Sequence, residues 1–160
     1  MAQIQNVVLA FSSQLHELNE KLEQMETTLR KSYIPPGFDL IGTRYFYIEH
    51  YDRKNWTDAG IACQQKGGYL AAFKSQEELE ELHKELQLAV YWLGINEREK
   101  EGQFVSVASG KAVEYFDWML DEPFNWQDIK QECVALTLGK MTDVECSREF
   151  HYICQLDNKI

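Results

Sequence analysis

The chain has 160 residues, of which 44% are apolar, and a formal net charge of -10. This length and composition fit one globular domain with an appendage. The negative charge would repel nucleic-acid phosphates and anionic lipid, so it excludes nucleic acid as a partner and favours a protein that holds a cation.

Residues 1–32 show the heptad pattern of a coiled-coil neck helix. Position a holds Val8, Leu15, Leu22 and Leu29, and position d holds Ile4, Phe11, Leu18 and Met25. A helix that packs on its own domain usually has a wider apolar face, so this narrow stripe favours a homo-oligomer over a single amphipathic helix on the domain. A dimer and a trimer are both compatible with these residues.

A short Pro-rich linker follows at residues 33–37, where Pro35 and Pro36 end the helix. The globular domain is expected over residues 38–157. The N-terminus lacks a basic segment, and its apolar run VVLAF is too short for a signal peptide or a membrane span. We therefore expect a mature or truncated chain from which a targeting segment has been removed.

The first half of the domain shows one strand pattern and two helix patterns. RYFYIEHY (44–51) alternates as a strand does. One helix is expected from Thr57 to the glycine pair at 67–68. A second helix follows Ser75, whose spacing to Glu78 is that of a capping box, and its glutamates are expected to form the solvated side.

The second half contains short strand patterns separated by glycine or polar turns. They are YWLGI (91–95), FVSVAS (104–109), CVALTL (133–138), MTDVEC (141–146) and HYICQL (151–156). Helices followed by short strands predict a mixed α+β domain.

The cysteines indicate disulfides. Cys63, Cys133, Cys146 and Cys154 include no C-x-x-C pair, and no histidine stands at zinc-finger spacing. Two disulfides are therefore expected rather than a zinc site, with three connectivities open. Because disulfides persist in oxidising compartments, we expect a secreted, extracellular protein.

No residue pattern typical of an enzyme is present. The histidines at positions 16, 50, 83 and 151 are scattered, and the chain lacks G-x-S-x-G, H-E-x-x-H and a phosphate-binding glycine loop. The sequence predicts that the protein is not an enzyme.

Several motifs in a fixed order resemble the C-type lectin-like domain family. They are the cysteine order, a helix that carries the first cysteine, YWLGI (91–95), FDWMLDEP (116–123) and the ending C-x12-C-x7-C. The resemblance covers roughly residues 38–155, and the neck is similar to those of collectins and secreted insect lectins. It implies an α+β fold of two helices with short antiparallel sheets, and the disulfides Cys63–Cys154 and Cys133–Cys146.

In that family, a calcium ion that binds sugar lies between an acidic loop and a later strand. Glu122 matches the first ligand, and Asp143 matches the last. Phe124 replaces an Asn or Asp, Gln131 replaces a Glu, and Thr142 replaces an Asn. The resemblance implies a metal site of Glu122, Gln131, Thr142 and Asp143 at which Ca²⁺ binding is weak or lost.

The same resemblance implies a ligand-binding surface of Glu122, Phe124, Asn125, Trp126 and Asp143. Trp126 lies where galactose-type relatives place an aromatic ring that stacks on sugar. It could equally form an apolar patch with Phe124 for a protein partner, or pack within its own domain.

One N-glycosylation sequon is present, Asn55-Trp56-Thr57, and it makes Asn55 a candidate glycosylation site. Thr57 could instead serve only as the cap of the following helix, and the two roles are compatible.

These features predict an extracellular lectin that binds a glycan or glycoprotein through a degenerate calcium and sugar loop and is oligomerised by its neck. The alternative is a calcium-independent domain that binds a protein and no longer recognises sugar.

Overall fold

The computed structural model describes residues 1–124 and 130–160, apart from the side chains of residues 30 and 31. The chain divides into two compact units, Met1–Ile34 and Pro35–Ile160. The finer boundaries that the sequence predicts for neck, linker and domain stay predictions.

The first unit is a single helix, α1 (Ala2–Ser32). Tyr33 after it has extended backbone angles, φ -77 and ψ 123, and the prolines that follow keep the chain out of the helical region. All the apolar side chains at positions a and d are exposed. The unit holds no second element that could cover this stripe. Along the described chain, no helix has the length and apolar character needed to cross a membrane.

The second unit contains two helices and eight strands among its described residues. The helices are α2 (Trp56–Gln65) and α3 (Gln76–His83). The strands are β1 (Asp39–Ile41), β2 (Arg44–Lys54), β3 (Tyr69–Leu70), β4 (Val90–Asn96), β5 (Val105–Ser106), β6 (Cys133–Thr137), β7 (Lys140–Val144) and β8 (Phe150–Gln155). The predicted α+β fold class is confirmed.

The strands form one sheet in the order β1-β2-β8-β4-β6-β7, with β3 beside β8 and β5 beside β4. β4 and β8 run parallel. β6 and β7 form an antiparallel hairpin at one edge of the sheet. Leu138 and Gly139 join them with φ angles of 50 and 77, as a two-residue hairpin turn requires. The edge strand β7 carries Asp143.

Buried side chains and two disulfides hold the sheet and helices together. One core cluster includes Leu82 and Tyr91, and a second includes Trp92. The disulfide Cys63–Cys154 joins α2 to β8 within the second cluster. The disulfide Cys133–Cys146 links the open end of the β6–β7 hairpin. This is the pairing that the resemblance implies.

The N-terminus of α2 differs from the expectation. Asn55 is the cap, because its Oδ1 accepts a hydrogen bond from the Asp58 N–H at 2.9 Å. Thr57 is therefore not the cap, since it lies within the first turn of the helix.

One residue of the acidic helix α3 also differs from the expectation. Ser75 caps it and accepts a hydrogen bond from the Glu78 N–H at 3.2 Å. The Glu78 carboxylate, however, is buried and pairs with Arg44 at 2.6 Å. The expectation that the glutamates of this helix form a solvated side is wrong for Glu78, because a partner from β2 compensates its burial.

Candidate functional site

The acidic loop before residue 125 is fastened to the edge strand β7. The Met119 N–H donates to the Met141 carbonyl at 2.8 Å, and the Met141 N–H donates to the Asp117 carbonyl at 2.8 Å. The Lys140 ammonium bonds the Asp117 carboxylate at 2.7 Å. These contacts bring the loop alongside the strand that carries Asp143.

The loop then turns tightly. Asp121 has a positive φ of 66, and the peptide between Glu122 and Pro123 is cis. The Glu122 N–H donates to the Met119 carbonyl at 3.0 Å. This turn places the following residues beside β7.

Phe124 meets Asp143 through its backbone. The Phe124 N–H donates to both carboxylate oxygens of Asp143, at 2.9 and 3.0 Å. Asp143 is only 2% exposed, whereas Phe124 is 40% exposed. Because a charged acceptor strengthens a hydrogen bond, this contact adds to those that hold the loop against the strand.

Glu122 lies beside the same carboxylate. Burial raises the pKa of Glu122 to about 7, and the hydrogen bond and charge of Asp143 add to the rise. The N–H groups of Asp143 and Phe124 oppose it. Near neutral pH, the Glu122 carboxyl group therefore keeps its proton for much of the time.

Two of the predicted metal ligands each have a buried side-chain oxygen without a hydrogen-bond partner among the described residues. They are Glu122, through Oε2, and Gln131, through Oε1. Since most buried polar atoms in folded proteins have a partner, these two oxygens are candidates for contact with a ligand. A hard cation that takes oxygen ligands fits them in kind.

Comparison with known proteins identifies the family to which this chain belongs. A family model described as the lectin C-type domain matches residues 52–156. The chain belongs to the C-type lectin family. Its lectin domain is 37% identical over 122 residues to C-type lectin 37Db of Drosophila melanogaster, covering 73% of this chain and 80% of that protein. The chain spans about half the length, or less, of several other curated relatives.

Solved structures share the fold of this lectin domain. The carbohydrate-recognition domain of cow CD23, solved in the presence of an oligosaccharide, has a TM-score of 0.69 and 25% identity, covering 77% of this chain and 95% of that one. A calcium-independent type II antifreeze protein has a TM-score of 0.66 and 28% identity, covering 77% and 93%. The fold therefore occurs both in a carbohydrate-recognition domain and in a protein that is independent of calcium.

Glu97 is a further carboxylate of the lectin domain, and the sequence patterns do not predict it. It is 4% exposed, its N–H donates to the Glu132 carbonyl at 2.9 Å, and it accepts the Gly102 N–H at 2.6 Å. Burial raises the pKa of Glu97, the Gly102 N–H opposes the shift, and the charges of Asp143, Glu101 and Glu132 add to it. A carboxylate directly after an apolar strand is the signal that could have marked this residue.

The predicted metal ligands offer the oxygen atoms that calcium prefers, but they are fewer than the roughly six to eight oxygens that calcium binds. Glu122 and Asp143 lie together, Gln131 adds a buried oxygen, and Thr142 is half-buried next to Asp143 on β7. Within residues 1–124 and 130–160, no group of three or more His, Cys, Asp and Glu side chains is placed to hold a metal. The predicted ligand-binding residues Asn125 and Trp126 lie outside the described residues.

Proposed function

We propose that this protein is an extracellular, non-enzymatic lectin that binds carbohydrate through the surface around Glu122, Phe124 and Asp143. The observation that carries the proposal is that two buried oxygens, Oε2 of Glu122 and Oε1 of Gln131, have no donor within residues 1–124 and 130–160. Sugar hydroxyls and a bound cation both supply what such oxygens lack. The two disulfides support an extracellular location.

Calcium would be held by Glu122, Gln131 and Asp143, with Thr142 adding a hydroxyl. When bound, calcium takes sugar hydroxyls into its oxygen shell. We expect weak affinity because only two of these side chains are carboxylates. In addition, both oxygens of Asp143 already accept the Phe124 N–H.

Apolar side chains beside the loop would contact the ligand as well. Leu120 is 88% exposed, and Phe124 is 40% exposed. Asn125 and Trp126 complete the proposed surface, since an indole packs well on the apolar face of a sugar ring.

The neck helix would join several of these binding sites in one homo-oligomer. Its exposed a and d side chains need a partner helix to leave water. Weak contacts with single sugars then add up, because the second contact of a multivalent molecule is effectively intramolecular. We propose this avidity as the source of useful affinity for a glycan-coated surface or glycoprotein.

A second candidate function is calcium-independent binding of a protein. It is favoured by the Phe124 N–H, which fastens the loop to Asp143 without a metal ligand. The exposed Leu120 and Phe124 side chains would then form part of an apolar contact patch.

A glycan array probed with the full chain in calcium tests the lectin proposal. The wild type is expected to bind at least one glycan, and Asp143→Asn is expected to lose most of that signal. Asp39→Asn, which removes an exposed carboxylate on β1, is the matched control and should bind as the wild type does. An array without signal for the wild type would overturn the proposal, and a signal that survives in Asp143→Asn would overturn the placement of the site.

A further inference from the structure

A cavity of about 270 Å³ lies among residues that the proposed carbohydrate site does not use. Its walls come from the segment after β3, from β5 with the turn that follows it, and from residues 159–160. Its lining residues include three lysines, Lys74, Lys111 and Lys159, and two carboxylates, that of Glu114 and the α-carboxylate of Ile160, the last residue of the sequence. The lining therefore carries one excess positive charge in a chain whose net charge is -10.

Two of these lysines are available to a ligand. Lys111 and Lys159 take part in no ion pair among the described residues. Lys74 already has partners, since its Nζ bonds the Thr43 hydroxyl at 2.7 Å and lies 4.0 Å from the Glu78 carboxylate. Unpaired ammonium groups around one recess attract a small anion and keep their donors free for it.

Hydroxyl groups add neutral donors to the same cavity. The Tyr115 hydroxyl oxygen is buried and has no hydrogen-bond partner among the described residues. Burial raises the pKa of Tyr115, and nearby carboxylates add to the rise, so the phenol keeps its proton. Ser109 accepts the Lys111 N–H at 3.2 Å through Oγ, which leaves its hydroxyl hydrogen to donate.

The wall formed by the last described residues is fixed in place. The Ser106 hydroxyl donates to a main-chain carboxylate oxygen of Ile160 at 2.8 Å, and the Gln155 side-chain amide donates to the same oxygen at 2.9 Å. Asp157 pairs with the guanidinium of Arg44 at 2.9 Å. A cavity whose walls are already ordered loses less entropy when it binds a ligand.

We propose that this lysine pocket, formed by Lys74, Ser109, Lys111, Tyr115 and Lys159, binds a small oxyanion: a sulfate, a phosphate or a carboxylate group. Lys111 and Lys159 form no ion pair among the described residues, and an oxyanion would accept charge-assisted hydrogen bonds from them and further bonds from the hydroxyl groups. The inference goes beyond the proposed carbohydrate site and does not depend on it.

Titration of the full chain with sodium sulfate at constant ionic strength, followed by the NMR signals of its backbone amides, tests the proposal. Saturable shifts are expected for residues 106–115 and 159–160. Lys111→Gln and Lys159→Gln should each weaken binding about tenfold, as loss of a charge-assisted bond does. Lys100→Gln, an exposed lysine outside the pocket, is the matched control and should bind as the wild type does.

Two further measurements test the role of the Tyr115 hydroxyl and the source of the oxyanion. Tyr115→Phe removes one hydroxyl and is expected to weaken binding, while its amide spectrum shows that the domain is folded. Comparing sodium sulfate and phosphate with a sulfated monosaccharide and a glucuronate distinguishes a free ion from a group carried by a sugar, and tighter binding of either kind supports the pocket. Non-saturable shifts in the wild type, or equal affinities in the wild type and both lysine variants, would overturn it. A glycan-array signal that depends on Asp143 would be unaffected by that outcome.

Discussion

The backbone N–H of Phe124 donates to both carboxylate oxygens of Asp143, at 2.9 and 3.0 Å. In the proposed match to the calcium loop of the family, Asp143 would be a ligand, and Phe124 stands where a side chain with an oxygen would be expected. On this proposal, residue 124 supplies no ligand but keeps the loop attached to β7 through its main chain. This combination predicts a recognition loop that keeps its shape when calcium is scarce.

Restoring the side-chain oxygen tests that explanation. Phe124→Asn keeps the backbone donor and adds an amide oxygen, so calcium affinity should rise about tenfold, as it does when an oxygen ligand is added to a calcium site. Phe124→Leu is the control, since it supplies no oxygen. Calorimetric titration with calcium measures both, and equal affinities for the two variants would count against this role of residue 124.

The carboxyl group of Glu122 should make stability depend on pH. Its pKa is raised from 4.5 to about 7 in the folded chain, by burial first and by Asp143 second. Between these values the folded chain binds more protons than the unfolded chain, so the free energy of unfolding falls as the pH rises through the window. Urea unfolding in EDTA across this range measures the slope.

Two variants isolate the contribution of Glu122 to that slope. Glu122→Gln cannot titrate and should lose this component of the pH dependence. Glu85→Gln, which changes an exposed glutamate, should retain it. A Glu122→Gln protein with the slope of the wild type would show that Glu122 titrates normally.

The neck helix is predicted to assemble the chain. Leu15 and Leu22 both occupy position a and are exposed in the single chain, so replacing both with Asp should place charges in the helix seam and give a monomer. Ser13→Asp adds the same charge at position f, on the outer face, and should leave the oligomer intact. Sedimentation at micromolar protein reads out the mass, and a monomeric wild type would refute the assembly.

Asn55 has two separable roles. Its Oδ1 accepts the Asp58 N–H and caps α2, while a glycan would be attached to the side-chain nitrogen. In a eukaryotic secretory host, Thr57→Val should remove the glycan and keep the cap. Asn55→Ala should remove both and lower stability by about 1 kcal/mol, and Asn55→Asp should restore the cap alone. Mass spectrometry and thermal unfolding distinguish these outcomes, and a wild type without the added mass would exclude the modification.

Local patterns predicted much of the fold. The a and d residues predicted α1, and the short apolar runs predicted β4, β6 and β8. Close packing explains the glycine in YWLGI, since a side chain at position 94 would collide with the carbonyl of Leu70. These features depend on residues close in sequence, or on one tight approach that only glycine permits.

Contacts between distant residues were not predictable in this way. Arg44 compensates the burial of Glu78 from 34 positions away, and Phe124 reaches Asp143 across 19. The charge of Asp143 contributes to the raised pKa of Glu97, because β4 pairs with β6 and β6 pairs with β7. A single sequence shows the type of each side chain but not its partner in the folded chain. The proposed ligands therefore came from the family resemblance, and the contacts of Glu122 and Asp143 came from the structure.

The central claim is that the surface around Glu122 and Asp143 recognises carbohydrate with the help of a weakly held cation. The most direct measurement is the glycan-array signal of the full chain, recorded in millimolar calcium and again in excess EDTA. We predict a signal on at least one glycan that falls on chelation and returns when calcium is added back. An array that stays empty in calcium would contradict the claim that this domain is a lectin.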